Sequence, residues 1–284
     1  MPQLISEIAE ADASGETAWI YGEIRRLWGV PNVTTVVRHV ATFPGCLEWL
    51  WATIGPANDC GDFQATANAL SKTLDATPLP SLPELALRAM GVDEPAAQQI
   101  RDVYDAYNRN NRPNILFVCT LSRLLREGPG GTAAYAPERT DWRPPAQLPP
   151  LVPMIQASNM PPATLALAQA IGSWGFPPDT GFLPGVYRHL ANWPAYMAYA
   201  GAMLWPRLEA GETARAGAAM LAAAETASAQ LVGMLPPPEG AFSPPSPDEA
   251  QALLRFLDGL KPKIPEMIIV CKLLGDALPD NEKE

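Results

Sequence analysis

A long internal repeat constrains the fold of this chain more than any other feature of its sequence. The tetrapeptide W-G-V-P at residues 28–31 returns as W-G-F-P at 174–177, and R-H-V-A-T-F-P at 38–44 returns as R-H-L-A-N-W-P at 188–194. The period of about 150 residues is far too long for a solenoid. It indicates a duplicated domain, and fused copies are expected to keep the self-complementary contact of a two-fold dimer.

The later matches keep the same order in both halves. Pro113 is followed by Val-Cys at 118–119, as Pro265 is followed by Val-Cys at 270–271. Both histidines of the chain, His39 and His189, fall at the same position of the repeat. Insertions between the matches are therefore short.

The matching motifs and the composition between them divide the chain into three parts. These are a helical repeat at 1–128, a Pro/Gly-rich linker at 129–150 and a second helical repeat at 151–284. The linker contains G-P-G-G and two P-P pairs, a composition in which regular elements rarely survive. We expect the two repeats to pack face to face as an intramolecular pseudo-dimer, with a pocket at the contact between them.

Hydrophobic spacing predicts an all-α fold. Apolar residues recur every three or four positions over 16–28, and the alanine-rich stretch 213–234 is also predicted to be helical. The apolar runs 115–118 and 267–270 lie inside longer patterns that fit buried helices better than strands. Asp248 and Glu249 precede an Ala/Leu run and are typical of a helix N-terminus.

Composition narrows the class of partner. The chain has 284 residues, 48% of them hydrophobic, and a net charge of −10. An acidic surface repels nucleic acid and anionic lipid, so we expect neither nucleic acid nor a membrane as partner. No long apolar run or signal-like start is present, so a cytoplasmic location is expected. The four cysteines and two histidines lack any zinc spacing, so no metal is expected.

Three motifs resemble the group I 2-haloacid dehalogenases. They are R-H-V-A-T-F-P-G at 38–45, L-A-N-W-P at 190–194 and the stretch from Tyr107 to Asn111. The resemblance extends from about residue 16 to residue 274 and includes the duplicated helical layout. It implies removal of halide from carbon 2 of short 2-haloalkanoic acids of either configuration, without a metal or organic cofactor. It also implies that an aspartate activates the attacking water, that no enzyme ester forms, and that an asparagine from the other repeat holds that water.

The family's asparagine position falls on Asn111, whose repeat mate is Lys263. The family's aspartate position, two residues before Arg188, falls on Val186, which cannot accept a proton. Two other residues are candidate bases. His189 lies one helical turn after Val186, and imidazole is a competent base at neutral pH. Asp179 is the nearest upstream carboxylate.

Each candidate also has a structural interpretation. His39 and His189 form a symmetric pair that can support the repeat contact through hydrogen bonds. Asp179 stands beside proline and glycine, as turn-forming aspartates do. The asparagines at 108, 110, 111 and 114 can instead cap a helix at a turn around Pro113.

The candidate substrate-binding residues are Asn32, Arg38, Val186, Tyr187 and Arg188. Either arginine can bind a carboxylate with two parallel hydrogen bonds, or can tie its helix to a neighbouring carbonyl or acid.

The resulting hypothesis is a cofactor-free hydrolase that acts on a short organic acid, working as a monomer or homodimer. Because the family's aspartate is not matched, two alternatives stay open. One is a related enzyme with a different reaction on a small organic substrate. The other is a non-catalytic binder of small molecules.

Overall fold

The computed structural model describes residues 6–139, 141–172, 174, 183–238, 240 and 242–279. All regular structure within these ranges is helical, which confirms the all-α prediction. None of the helices in the described part of the chain is long and apolar enough to cross a bilayer.

The first half contains six α-helices and one 3-10 turn. They are α1 (Gly15–Trp28), α2 (Thr35–Val40), α3 (Cys46–Asp59), α4 (Asp62–Ala69), the 3-10 turn Leu70–Thr73, α5 (Glu84–Ala89) and α6 (Glu94–Glu127).

The second half also has six described α-helices. After the 3-10 turn Ala157–Asn159 come α7 (Pro162–Gly172), α8 (Gly185–Leu190), α9 (Pro194–Glu209), α10 (Glu212–Met234), α11 (Pro247–Leu260) and α12 (Lys263–Asp276). The helices predicted over 16–28 and 213–234 are α1 and α10, and the apolar runs 115–118 and 267–270 lie inside α6 and α12. These predictions are confirmed.

Helix α6 is continuous for 34 residues, about 51 Å, and passes through most of the molecule. Its N-terminus is capped by Asp93, whose side chain accepts a hydrogen bond from the amide of Ala96 at 3.0 Å. Pro113 lies inside the helix, where its ring removes one backbone donor. The alternative of a cap and turn at the asparagine cluster is therefore wrong, because the backbone stays helical on both sides of this proline.

The second half has two separate helices, α11 and α12, where the first half has the continuous helix α6. Helix α11 ends at Leu260, and α12 starts at Lys263, just after Pro262. The start of α11 carries a capping box, in which Ser246 and Glu249 satisfy each other's backbone amides.

Two hydrophobic cores hold the helices together, and each mixes residues from both halves. One core joins α1 to α4 and the C-terminal part of α6 with α10 and α11. The other joins α5 and the N-terminal part of α6 with α7 to α9 and α12. The stretches 1–128 and 151–284 therefore interlock around α6, α10 and α12. Their origin as tandem repeats stays a prediction.

The described residues of the linker 129–150 contain no helix, but they are not detached from the core. The amides of Gly130 and Gly131 donate to the carbonyls of Val232 and Leu235 at 3.0 and 2.9 Å. A Cβ on Gly131 would lie 2.5 Å from the carbonyl oxygen of Met234, so only glycine fits this close approach. The start of the linker is thereby fixed to the end of α10.

Buried hydrogen bonds around Asn58 join three helices of the first core. The indole of Trp28 on α1 donates to Asn58 Oδ1 at 3.0 Å, and the amide of Gln64 on α4 donates to the same oxygen at 3.1 Å. Asn58 Nδ2 donates to the carbonyl of Ile54 at 3.1 Å. Asn58 itself is fully buried in α3.

We expect Asn58→Ala to lower the free energy of unfolding by about 3 kcal/mol, because it leaves two buried donors without an acceptor. Urea denaturation followed by circular dichroism measures the change. The matched control is Asn68→Ala on α4, an exposed position where the change is expected to stay within about 0.5 kcal/mol. Equal losses for the two variants would contradict this account of the core.

Candidate active site

A cavity of about 510 Å³ lies between the two halves and is lined by both. One side is formed by residues 32–36 and 38 and by α6. The other side is formed by residues 154 and 156–158, by α7, by the start of α8, and by the junction of α11 and α12. The two sides differ in chemistry.

The α6 side is polar. Tyr107, Asn110, Asn111 and Asn114 follow one another at helical spacing and all line the cavity. Asn110 Nδ2 donates to the carbonyl of Asn32 at 2.9 Å. This hydrogen bond fixes the carboxamide of Asn110 on the cavity face of the helix.

Two buried polar atoms of this row have no hydrogen-bond partner among the described residues. They are the Nδ2 donor of Asn111 and the Oδ1 acceptor of Asn110. Asn111 is only 8% exposed. A buried donor or acceptor without a partner is costly, so both atoms call for a partner that the described residues do not supply.

Lys263 is the charged residue on the α12 side. Its Nζ donates to Glu266 Oε1 at 2.7 Å and to the carbonyl of Trp174 at 2.8 Å. Burial lowers the pKa of Lys263 and raises that of Glu266, and the close contact between the two opposes both shifts. The pair keeps Lys263 at the cavity wall and ties α12 to the chain just beyond α7.

Arg38 and Arg188 both line the cavity, but their charges are not equally compensated. Arg38 Nη2 lies 3.0 Å from the carboxylate of Glu7, and its Nε donates to the same group at 3.1 Å. Arg188 donates to neutral groups, the carbonyl of Ile155 at 3.4 Å and Gln156 Oε1 at 2.8 Å. Among the described residues no carboxylate forms a salt bridge with Arg188, so its positive charge is available to an anion in the cavity.

The two histidines have equivalent structural roles. The Nδ1 of His39 contacts the carbonyl of Ser6 at 2.7 Å, and the Nδ1 of His189 contacts that of Val152 at 2.8 Å. A carbonyl only accepts, so each Nδ1 carries the proton. Each histidine fixes a segment that runs along one side of the cavity.

His189 is not among the residues that line the cavity. It is 4% exposed, and its ring packs edge-on against Tyr107 with 5.7 Å between centroids. Burial lowers the pKa of His189 to about 4, so the imidazole is neutral at pH 7. This position and packing favour the structural interpretation of His189 over the catalytic one.

Val186 and Tyr187 also lie away from the cavity. Both are buried in the second core, and Pro184, Gly185 and Arg188 of the same stretch line the cavity instead. Helix α8 begins at Gly185, and each residue turns about 100° from the last, so Val186 and Tyr187 face inward to the core. The expectation that their side chains contact substrate does not fit this orientation.

Gly185 is a site residue that sequence reasoning missed. A Cβ at this position would lie 2.1 Å from the hydroxyl of Tyr107, so a larger residue would displace that ring. Asn110, Asn114 and Tyr107 were missed as well, although helical spacing from Asn111 would have indicated them.

Asp179 lies outside the described residues. Glu7 is the one carboxylate among the described residues that line the cavity. Its side chain is exposed and paired with Arg38. Within the same part of the chain, no three His, Cys, Asp or Glu side chains come together as a metal site would require.

The burial of His189 predicts a pH-dependent stability. Because its folded-state pKa lies below the unfolded value of about 6.5, its contribution is complete above pH 6.5 and is lost as the pH falls through 4. We expect His189→Gln to remove about 2 kcal/mol of the difference in unfolding free energy between pH 7 and pH 5. Urea denaturation at both pH values measures it.

The control for this prediction is Asn192→Ala. Asn192 Nδ2 donates to the carbonyl of Pro153 at 3.0 Å, so this variant loosens the same segment without removing a titrating group. Its loss of stability is expected to be equal at pH 7 and pH 5. An unchanged pH dependence in His189→Gln would show that the imidazole is not the group responsible.

The chain is similar in sequence to enzymes that act on haloacids. The configuration-inverting 2-haloacid dehalogenase of Alcaligenes xylosoxydans xylosoxydans is 29% identical over 200 residues, which are 68% of this chain and 66% of that enzyme. The (R)-2-haloacid dehalogenase of Pseudomonas putida is 23% identical over 72% of this chain and 69% of its own length. The (R)-2-haloacid dehalogenase of Rhizobium sp. (strain NHG3) is 26% identical over 72% of this chain and 80% of its own length. The first of these matches therefore spans just under two thirds of the relative.

The fold is also similar to solved structures. A D-2-haloacid dehalogenase mutant in complex with D-2-CPA superposes with a TM-score of 0.74 at 18% identity, covering 96% of both chains. A D-2-haloacid dehalogenase with L-LA superposes with a TM-score of 0.70 at 19% identity over the same share. No protein-family model matches the chain. In sequence this chain is therefore similar to 2-haloacid dehalogenases, and in fold it is similar to solved D-2-haloacid dehalogenases.

Proposed function

We propose that the protein is a hydrolase that releases halide from carbon 2 of a 2-halocarboxylic acid bound in the cavity between its halves. The relatives named for this reaction support the proposal. The observation that carries it is the presence at one cavity of two groups: the guanidinium of Arg188, which has no carboxylate partner among the described residues, and the Nδ2 of Asn111, which has no hydrogen-bond partner among them.

The substrate carboxylate binds Arg188. A guanidinium binds a carboxylate through charge-assisted hydrogen bonds, and the bound anion supplies the negative charge that Arg188 lacks among its described partners. Arg38 is the weaker anchor, because Glu7 already neutralises it.

Asn111 and Asn110 hold the attacking water. The water accepts a hydrogen bond from Asn111 Nδ2 and donates one to Asn110 Oδ1, which leaves an oxygen lone pair for attack on carbon 2. A new carbon–oxygen bond forms as the carbon–halogen bond breaks, so the configuration at carbon 2 inverts. The halide leaves with the bonding electrons, a base takes the proton of the water, and the product is a 2-hydroxy acid.

Asp179 is the proposed base. It is the one carboxylate of the stretch 175–182. The residue before that stretch, Trp174, accepts a hydrogen bond from the cavity residue Lys263, and the residue after it, Leu183, lines the cavity. A carboxylate that takes a proton from water in the transition state contributes a factor of about 10² to 10⁴ in rate.

The first test measures halide release from both enantiomers of 2-bromopropionate. We expect Asp179→Asn to lower kcat by about a thousandfold and Asn111→Ala by about a hundredfold, because they remove the base and the donor that positions the water. The controls are Asp75→Asn, at an exposed position, and Asn108→Ala on α6 outside the cavity lining; both are expected to keep wild-type rates. A wild-type rate in Asp179→Asn would exclude it as the base.

The second test concerns the anchor. We expect Arg188→Gln to raise KM by about 10- to 100-fold, because one charge-assisted contact is lost. The control is the double variant Glu7→Gln with Arg38→Gln, which removes a neutral pair and leaves the cavity charge unchanged. A larger increase in the double variant than in Arg188→Gln would place the carboxylate at Arg38 instead.

One observation favours a second candidate function, a non-catalytic binder of small acids. Glu7 is the one carboxylate among the described residues that line the cavity, and it is already paired with Arg38. The resemblance aligns the family's aspartate with Val186, which cannot accept a proton. A protein that binds 2-bromopropionate in calorimetry but releases no halide would have this function.

A further inference from the structure

The side of the cavity opposite the asparagines of α6 contains a group of apolar side chains next to the polar Gln169 and Lys263. Leu165 of α7, Leu183, Leu260 at the end of α11, and Ile264 and Met267 of α12 all line it. Ile264 and Met267 are three residues apart and therefore share one face of the helix. The cavity thus has a second, hydrophobic wall that neither the anchoring of a carboxylate nor the holding of a water uses.

The cavity is also larger than a short haloacid requires. Its volume of about 510 Å³ falls in the range of about 300 to 1,000 Å³ that is typical of sites for drug-sized ligands. A 2-halopropionate has six non-hydrogen atoms, which take up roughly 180 Å³ even at about 30 Å³ each, the share of a liquid water molecule. Most of the cavity would stay filled with water against apolar side chains, which is an unfavourable contact.

We propose that the substrate is a medium-chain 2-haloalkanoic acid, with about four to six carbons in the chain attached to carbon 2, and that this chain lies along the wall of Leu165, Leu260, Ile264 and Met267. The inference rests on the proposed function and names its substrate class. The carboxylate lies at Arg188 and the attacking water at Asn111, so in a back-side attack the carbon–halogen bond points away from Asn111. The alkyl chain, a third substituent of carbon 2, extends along the apolar wall.

The nature of this wall suits a flexible alkyl chain. Met267 is unbranched and polarisable, so it adapts to chains of different length. Leu165 is half-buried on α7, so the wall continues toward the surface and does not end in a closed pocket. Each methylene buried against it is expected to improve kcat/KM about fourfold.

The experiment compares kcat/KM for halide release across 2-bromopropionate, 2-bromobutanoate, 2-bromohexanoate and 2-bromooctanoate. We expect a rise of about fourfold per methylene to the hexanoate and a plateau beyond it. In parallel, calorimetry compares the binding of propionate and hexanoate, which carry no halogen and report on the cavity without turnover.

Two variants fill the apolar wall, Met267→Trp in α12 and the half-buried Leu165→Trp in α7. Each is expected to lower the ratio of kcat/KM for the hexanoate over the propionate by at least tenfold. Circular dichroism shows whether each variant folds. If Met267→Trp does not fold, Leu165→Trp still tests the inference. The control is Met234→Trp, at an exposed position at the end of α10, which is expected to keep the wild-type ratio.

The outcomes separate this inference from the proposed function. Halide release that is fastest on 2-bromopropionate and falls with chain length would overturn the inference and leave the proposed function standing. No halide from any acid, together with hexanoate binding more tightly than propionate and a loss of that preference in the tryptophan variants, would support the inference and overturn hydrolysis. Equal binding of the two unhalogenated acids, with equal turnover along the series, would overturn the inference.

Discussion

The packing of α6 against α12 is the contact on which the rest of the structure depends. Both helices contribute to the hydrophobic cores, and both also present a face to the cavity. Any shift between them would change the two cores and the cavity together. Because tightly packed interiors resist such shifts, the positions of Asn111 on α6 and Lys263 on α12 are fixed by the same apolar contacts that make the chain fold.

The continuity of α6 explains how one helix can serve two purposes. Its N-terminal part packs in one core and its C-terminal part in the other, so the cavity face between them is held from both ends. In the second half, the chain breaks between Leu260 and Lys263. The two sides of the cavity therefore differ in backbone as well as in side chains, although the sequence motifs around them correspond.

The sequence predicted much of this architecture and part of the site. Hydrophobic spacing was sufficient for α1, α10 and the buried helices, because such periodicity directly reflects which face is buried. Asn111 was selected by resemblance, and it does lie at the cavity. The orientation of Val186, Tyr187 and His189 could not be predicted, because it depends on the residue at which the short helix α8 begins.

The sequence also could not predict which of the two arginines at the cavity is paired with a carboxylate. Arg38 and Arg188 stand in matching motifs, yet one meets the carboxylate of Glu7 and the other meets a carbonyl and a carboxamide. These partners come from segments outside the repeated motifs, so spacing alone gives no sign of them. The same holds for Gly185, whose importance comes from the space taken by the Tyr107 ring rather than from its own chemistry.

The unlike walls of the cavity have a stereochemical consequence. A tetrahedral carbon held at three different points has only one orientation. In the proposed binding mode the three points are a cation at Arg188, amides on α6 and a hydrophobic surface on α12. Two mirror-image acids that both contact the cation and the hydrophobic surface would direct the carbon–halogen bond toward different places. A cavity with walls of such different chemistry would in this way distinguish left-handed molecules from right-handed ones.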